Sequence, residues 1–155
     1  MRIGFAVSSD CNSQLIHTIF ENTRYFIGDV LLFCENKGKS LLNYNIPTFS
    51  IEDSFYFISS PLVATNIKTA ESILKNGSKS EKYLYLYDLE WYFKNDFKYN
   101  DFEKIYRNEQ LKIIVENDEY ADIFEKCWNR KPCSVIPEID LNKIYRLYYG
   151  HTKSN

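Results

Sequence analysis

Residues 111–128 read LKIIVENDEYADIFEKCW, and the first five of them decide the fold class. A strand with one wet face alternates apolar and polar residues, but Ile113, Ile114 and Val115 follow one another without a break. Such a run predicts a strand covered on both faces, the kind found in parallel sheets between helical layers. Asn117 or Asp118 is then placed to cap a helix over 119–128. Acids in its first turn suit the positive end of the helix dipole.

The same strand-then-helix rhythm extends outward in both directions. Upstream, Arg2–Val7 (RIGFAV) reads as a strand, followed by a polar loop and a helix over 14–25 that Ser13 can cap. Asp29–Cys34 (DVLLFC) is the next strand, closed by the turn-like ENKGKS. Ile46–Ile51 and Phe55–Ile58 read as short strands, with Pro47 confining the first to a strand start or an edge. Leu62–Ala64 is a further short strand, and Asn66–Asn76 a helix stopped by Gly77. Tyr83–Tyr87 (YLYLY) reads as an interior strand and Asp101–Tyr106 as a short helix. Downstream come a strand at Ser134–Ile136 and a closing helix at Leu141–Tyr149. The expectation is a single three-layer Rossmann-like α/β domain with a mostly parallel sheet over residues 1–150, and a frayed tail at 151–155.

With 155 residues the chain is long enough to bury one core. A formal net charge of −2 argues against a domain living on phosphate contacts, so nucleic acid is an unlikely partner. Five glycines leave little for a glycine-rich phosphate loop. Cysteines at 11, 34, 127 and 133 form no CxxC pair, and with two histidines they offer no metal cluster. Cys34, Cys127 and Cys133 read as structural thiols of a reducing compartment. MRIGFAVSSD turns polar too early for a signal peptide, and no apolar run is long enough to span a bilayer. A cytoplasmic protein without membrane contact or cofactor is expected.

Ligands of open parallel sheets gather at the carboxyl edge. Asp88, Glu90 and Trp91 follow YLYLY there, and carboxylates at i and i+2 can bind sugar hydroxyls or act as a base. They can also be plain strand-end acids. The loop after the first strand offers Ser8, Ser9, Asp10, Asn12 and Ser13 to a phosphate, sugar or carboxylate, or simply caps the next helix. Asp10 and Asp53 follow apolar runs, but the acidic pair of a phosphoreceiver is missing. A nuclease reading of Asp88 and Glu90 lacks its third acid and lysine. His17 reads as a partly buried helix histidine, and Tyr145, Tyr148 and Tyr149 as packing groups or a dimer contact.

Residues 111–140, LKIIVENDEYADIFEKCWNRKPCSVIPEID, resemble the end of the N-terminal domain of GT-B glycosyltransferases. Ile136-Pro137-Glu138-Ile139-Asp140 stands where that family has an Ile-Pro-Asn-Gly-x-Asp hinge, and RIGFAV is similar to its first strand. More faintly, the chain resembles small glycosyltransferase-like proteins of large tailed phages. It departs from the family in carrying Ser8-Ser9-Asp10 in place of a glycine pair, in lacking the hinge Asn-Gly, and in ending where a second domain would begin. The resemblance implies a sugar acceptor or nucleotide-sugar as ligand, with Asp88 or Glu90 as acceptor contact or base. It also implies a partner chain supplying the missing nucleotide-sugar site. The competing expectation is a non-enzymatic binding or regulatory module that contacts another protein or a second copy of itself.

Overall fold

Each continuous apolar run pairs with another, in one direction only. The structure, a computed structural model, describes residues 1–8, 13–35, 45–93 and 98–152. Its strands are β1 (Arg2–Val7), β2 (Asp29–Cys34), β3 (Thr48–Ser50), β4 (Leu62–Ala64), β5 (Lys82–Leu86), β6 (Leu111–Val115) and β7 (Ser134–Val135). They form one sheet in the order β3-β2-β1-β4-β5-β6-β7, and every neighbouring pair is parallel. The helices are α1 (Ser13–Thr23), α2 (Ile67–Lys75), α3 (Glu90–Phe93), α4 (Tyr99–Tyr106), α5 (Asp118–Trp128) and α6 (Leu141–Thr152). This is a Rossmann-like three-layer α/β fold.

The two faces of the sheet explain why the strands read as unbroken apolar runs. Ile3, Phe5 and Val7 of β1 and Tyr83 and Tyr85 of β5 pack against Ile16 and Ile19 of α1 and Ile144 of α6. The alternate residues, among them Ala6, Leu84, Leu86, Ile113 and Val115, pack against α2, α4 and α5. In YLYLY the tyrosines therefore face one helical layer and the leucines the other. Between α3, α4 and α5 lies an aromatic cluster, with Trp91 edge-on to Tyr106 at 5.4 Å and to Trp128 at 5.6 Å.

Local chemistry sets several boundaries. Asn66 caps α2 through its side chain, which accepts from Thr69 N, and Gly77 at φ 69° ends the segment after it. Asn117 caps α5 in the same way by accepting from Tyr120 N. Gly4 is needed because a Cβ there would sit 2.8 Å from Phe57 Cε1 and 2.9 Å from Phe33 Cε2.

Several readings of the sequence are corrected. Phe55–Ile58 is not a strand: a 3-10 turn spans Ile51–Tyr56, and Phe55, Tyr56 and Ile58 are exposed. Buried Ile51 and Ser54 hold that turn, with Asp53 Oδ2 accepting from Ser50 N at 3.1 Å. α3 was not anticipated, because the chain turns helical right at Glu90. Of the cysteines, Cys34 is buried and its thiol is pushed up to about 11 by burial; Cys133 keeps an exposed edge although burial pushes its thiol up to about 11 as well, and Cys127 is exposed. His17 likewise lies on the exposed side of α1. α6 continues through His151 and Thr152, into the segment read as a frayed tail. No helix among the described residues is long and apolar enough to cross a membrane.

Candidate functional site

Because all strands run one way, the residues that follow them share one edge. Ser8 follows β1, Glu35 follows β2, Thr65 and Asn66 follow β4, Tyr87 and Asp88 follow β5, and Glu116 follows β6. The strand order reverses between β1 and β4, and in open α/β sheets that switch point is where a crevice opens for ligands.

The switch point is built around the start of α2. Asn66 Nδ2 donates to Ser8 Oγ at 3.1 Å, while its Oδ1 accepts from Thr69 N at 2.9 Å. Thr65 Oγ1 donates to Ala6 O at 3.1 Å, tying the turn after β4 to β1. The N–H of Ile67, in the first turn of α2, donates to Glu90 Oε1 at 2.9 Å. Tyr106 of α4 donates its hydroxyl to the same oxygen at 3.1 Å. A carboxylate thus sits where the positive end of the α2 dipole would hold an anion. Burial, reinforced by the Glu90 charge beside it, raises the Tyr106 hydroxyl well above its ordinary range.

The two acids of DLE therefore part company. Glu90 is 3% exposed and joins α2 to α4, whereas Asp88 is exposed at the end of β5. The extended chain that would have put both on the rim is replaced by the turn into α3, which folds Glu90 back under α2. Trp91, read as a ligand contact, is half-buried and packs on Tyr106, Phe124 and Trp128, with its indole Nε1 buried and unpartnered. Ser8 is buried against Asn66. Ser9, Asp10 and Asn12 lie outside the described residues, and Ser13 is described only as the first residue of α1. Ser8 and Glu90 are thus brought together through Asn66 and Ile67, and Asp88 is the exposed acid beside them.

Two groups of this edge escaped the sequence reading. Glu35 Oε1 accepts from Ser72 Oγ at 3.0 Å, and its Oε2 pairs with Lys68 Nζ at 2.8 Å, linking the end of β2 to α2. The signal was an acid directly after DVLLFC. Glu116 accepts from Glu138 N at 2.9 Å through Oε1 and from the Tyr85 hydroxyl through Oε2. Together with Asn22 Nδ2, which donates to Glu138 O at 2.6 Å, it holds the Pro137–Ile139 turn. Glu138 and Ile139 there adopt φ of 54° and 53°, unfavourable for non-glycine residues and above all for a β-branched one. The hinge-like IPEID segment is therefore pinned onto the domain, and α6 packs back against α1 and β1.

Among the described residues no group of three His, Cys, Asp or Glu is arranged to hold a metal ion. No protein-family model, curated protein or solved structure matches this chain.

Proposed function

We propose that this chain binds a small hydroxyl-rich ligand, a sugar or nucleotide-sugar, at the carboxyl edge of its sheet, as one half of a glycosyltransferase-like enzyme or a degenerate relative of one. The observation that carries the reading is the strand order, whose reversal between β1 and β4 coincides with a cluster of polar groups at the start of α2. Asp88, exposed two residues before Glu90, supplies a carboxylate that can accept from ligand hydroxyls. In a catalytic version it is the group that takes a proton from an acceptor hydroxyl. Glu90 is a positioning residue in this reading: it fixes the start of α2 and the Tyr106 hydroxyl, and through them the geometry around Asn66 and Ser8. Support also comes from the resemblance of residues 111–140 to the corresponding end of a GT-B domain.

Isothermal titration with a panel of free sugars and nucleotide-sugars tests the proposal. At least one member is expected to bind, and Asp88→Asn is expected to weaken it about tenfold or more while leaving the fold intact. Absence of binding across the panel, or binding indifferent to Asp88→Asn, overturns it.

A further inference from the structure

We infer that two copies of this chain meet through the open face at the β2–β3 end of the sheet, a surface that shares no residue with the candidate ligand site. The argument begins with a crossover that lacks a helix. On this face α2, α4 and α5 cover the strands from β1 to β7, but the connection from β3 to β4 supplies only the Ile51–Tyr56 turn and Phe57. Leu31 and Phe33 of β2 and Phe49 of β3 are left lining a cleft of about 240 Å³, walled by Tyr56 and Phe57. Around it Phe49 is 41% exposed, Phe55 51%, Tyr56 79% and Ile58 56%. Those four side chains present on the order of 450 Å² of largely apolar surface, within the roughly 300–600 Å² reached by the largest patch on a typical monomer, a patch that is often functional. That is more than half of the roughly 800 Å² each partner contributes to a standard interface.

The charges at the rim select the occupant. Arg2 and Asp53 line the same cleft, one cation and one carboxylate beside an apolar centre. Arg2 makes no ion pair among the described residues, and Asp53 is exposed with Oδ2 accepting from Ser50 N. A two-fold interface must be complementary to itself, and this patch is: each Arg2 meets the Asp53 of the second copy while the aromatic groups pack at the axis. A small ligand inside the cleft would leave Phe55 and Ile58, which do not line it, still in water.

Sedimentation equilibrium tests the inference. The protein is expected to dimerise with a Kd on the order of 10 µM. Tyr56→Ser and Arg2→Asp are each expected to weaken the dimer roughly 10–100-fold, and Asp53→Arg combined with Arg2→Asp to restore it. Asp53→Arg also removes the acceptor of the Ser50 N–H, so circular dichroism must show the doubly reversed protein folded. If it is not folded, Tyr56→Ser and Arg2→Asp carry the test. A monomer at all accessible concentrations overturns the inference, as does a dimer that these variants leave unchanged or a folded double reversal that stays monomeric. A monomer whose Phe49 and Tyr56 resonances shift on titration with benzoate assigns the cleft to a small ligand and equally overturns it.

Discussion

Replacing Glu90 separates a structural acid from a ligand-facing one. In Glu90→Ala two donors lose their buried acceptor, the Ile67 N–H and the Tyr106 hydroxyl, previously 2.9 and 3.1 Å from Oε1. Each buried donor left unsatisfied costs about 1–3 kcal/mol, and the cavity left behind adds to that, giving about 3–5 kcal/mol in all. Glu90→Gln keeps an oxygen in the same place and loses only the contribution of charge, about 1 kcal/mol. For a domain of this size 1 kcal/mol moves the Tm by about 2–4 °C, so the alanine variant is expected to melt roughly 6–20 °C lower. Asp88→Asn, at an exposed position, is expected to fall within about 0.5 kcal/mol of the parent. Urea unfolding followed by circular dichroism reads all three. An alanine variant within about 1 kcal/mol of the parent, or Asp88→Asn as damaging as Glu90→Ala, would refute the division of roles.

Further consequences follow from the packing and the buried hydroxyls. Gly4→Ala pushes a methyl against Phe57 and Phe33 at 2.8–2.9 Å and is expected to cost about 1–3 kcal/mol in urea unfolding. Asn66→Ala removes the α2 cap and the bond to Ser8 together, with an expected loss of about 1–3 kcal/mol by the same assay. Alkaline stability follows from Tyr85 and Tyr106, whose hydroxyls are both raised by burial. The unfolded chain releases those protons near pH 10 while the fold retains them, so their contribution is complete below pH ~10 and declines as pH rises above it. Each adds a slope of about 1.4 kcal/mol per pH unit, and tyrosinate absorbance from these two is expected to appear only with unfolding.

Much of the architecture was legible because burial leaves a direct mark on composition. LKIIV carries no alternation since both its faces are covered by helices, DVLLFC has one face under α1 and α6 and the other partly under Phe57, and the capping residues Asn66 and Asn117 stand at the helix starts. Phe55–Ile58 misled because its aromatic-rich residues suit a strand in isolation, and only the packing of Ile51 and Ser54 turns that segment into a 3-10 turn. The site was half legible for a similar reason. That Asp88 follows a strand at the carboxyl edge is given by chain order, but Glu90 is placed by Ile67 of α2, 23 positions before it, and Tyr106 of α4, 16 positions after it. Nothing local to Asp88-Leu89-Glu90 marks where the strand gives way to α3. The grip of Glu116 and Asn22 on the Pro137–Ile139 turn is likewise long-range: the Asn22–Glu138 bond spans 116 positions.

The central claim is that the β1–β4 switch point, with Asp88 at its rim, holds a sugar-bearing ligand. A 15N NMR titration with the panel of sugars and nucleotide-sugars tests it most directly. The account predicts saturable shifts at Ser8, Asn66, Ile67 and Asp88, with the amides of β2 and β3 unmoved. Shifts confined to Phe49, Asp53 and Tyr56, or none at any concentration, would contradict it.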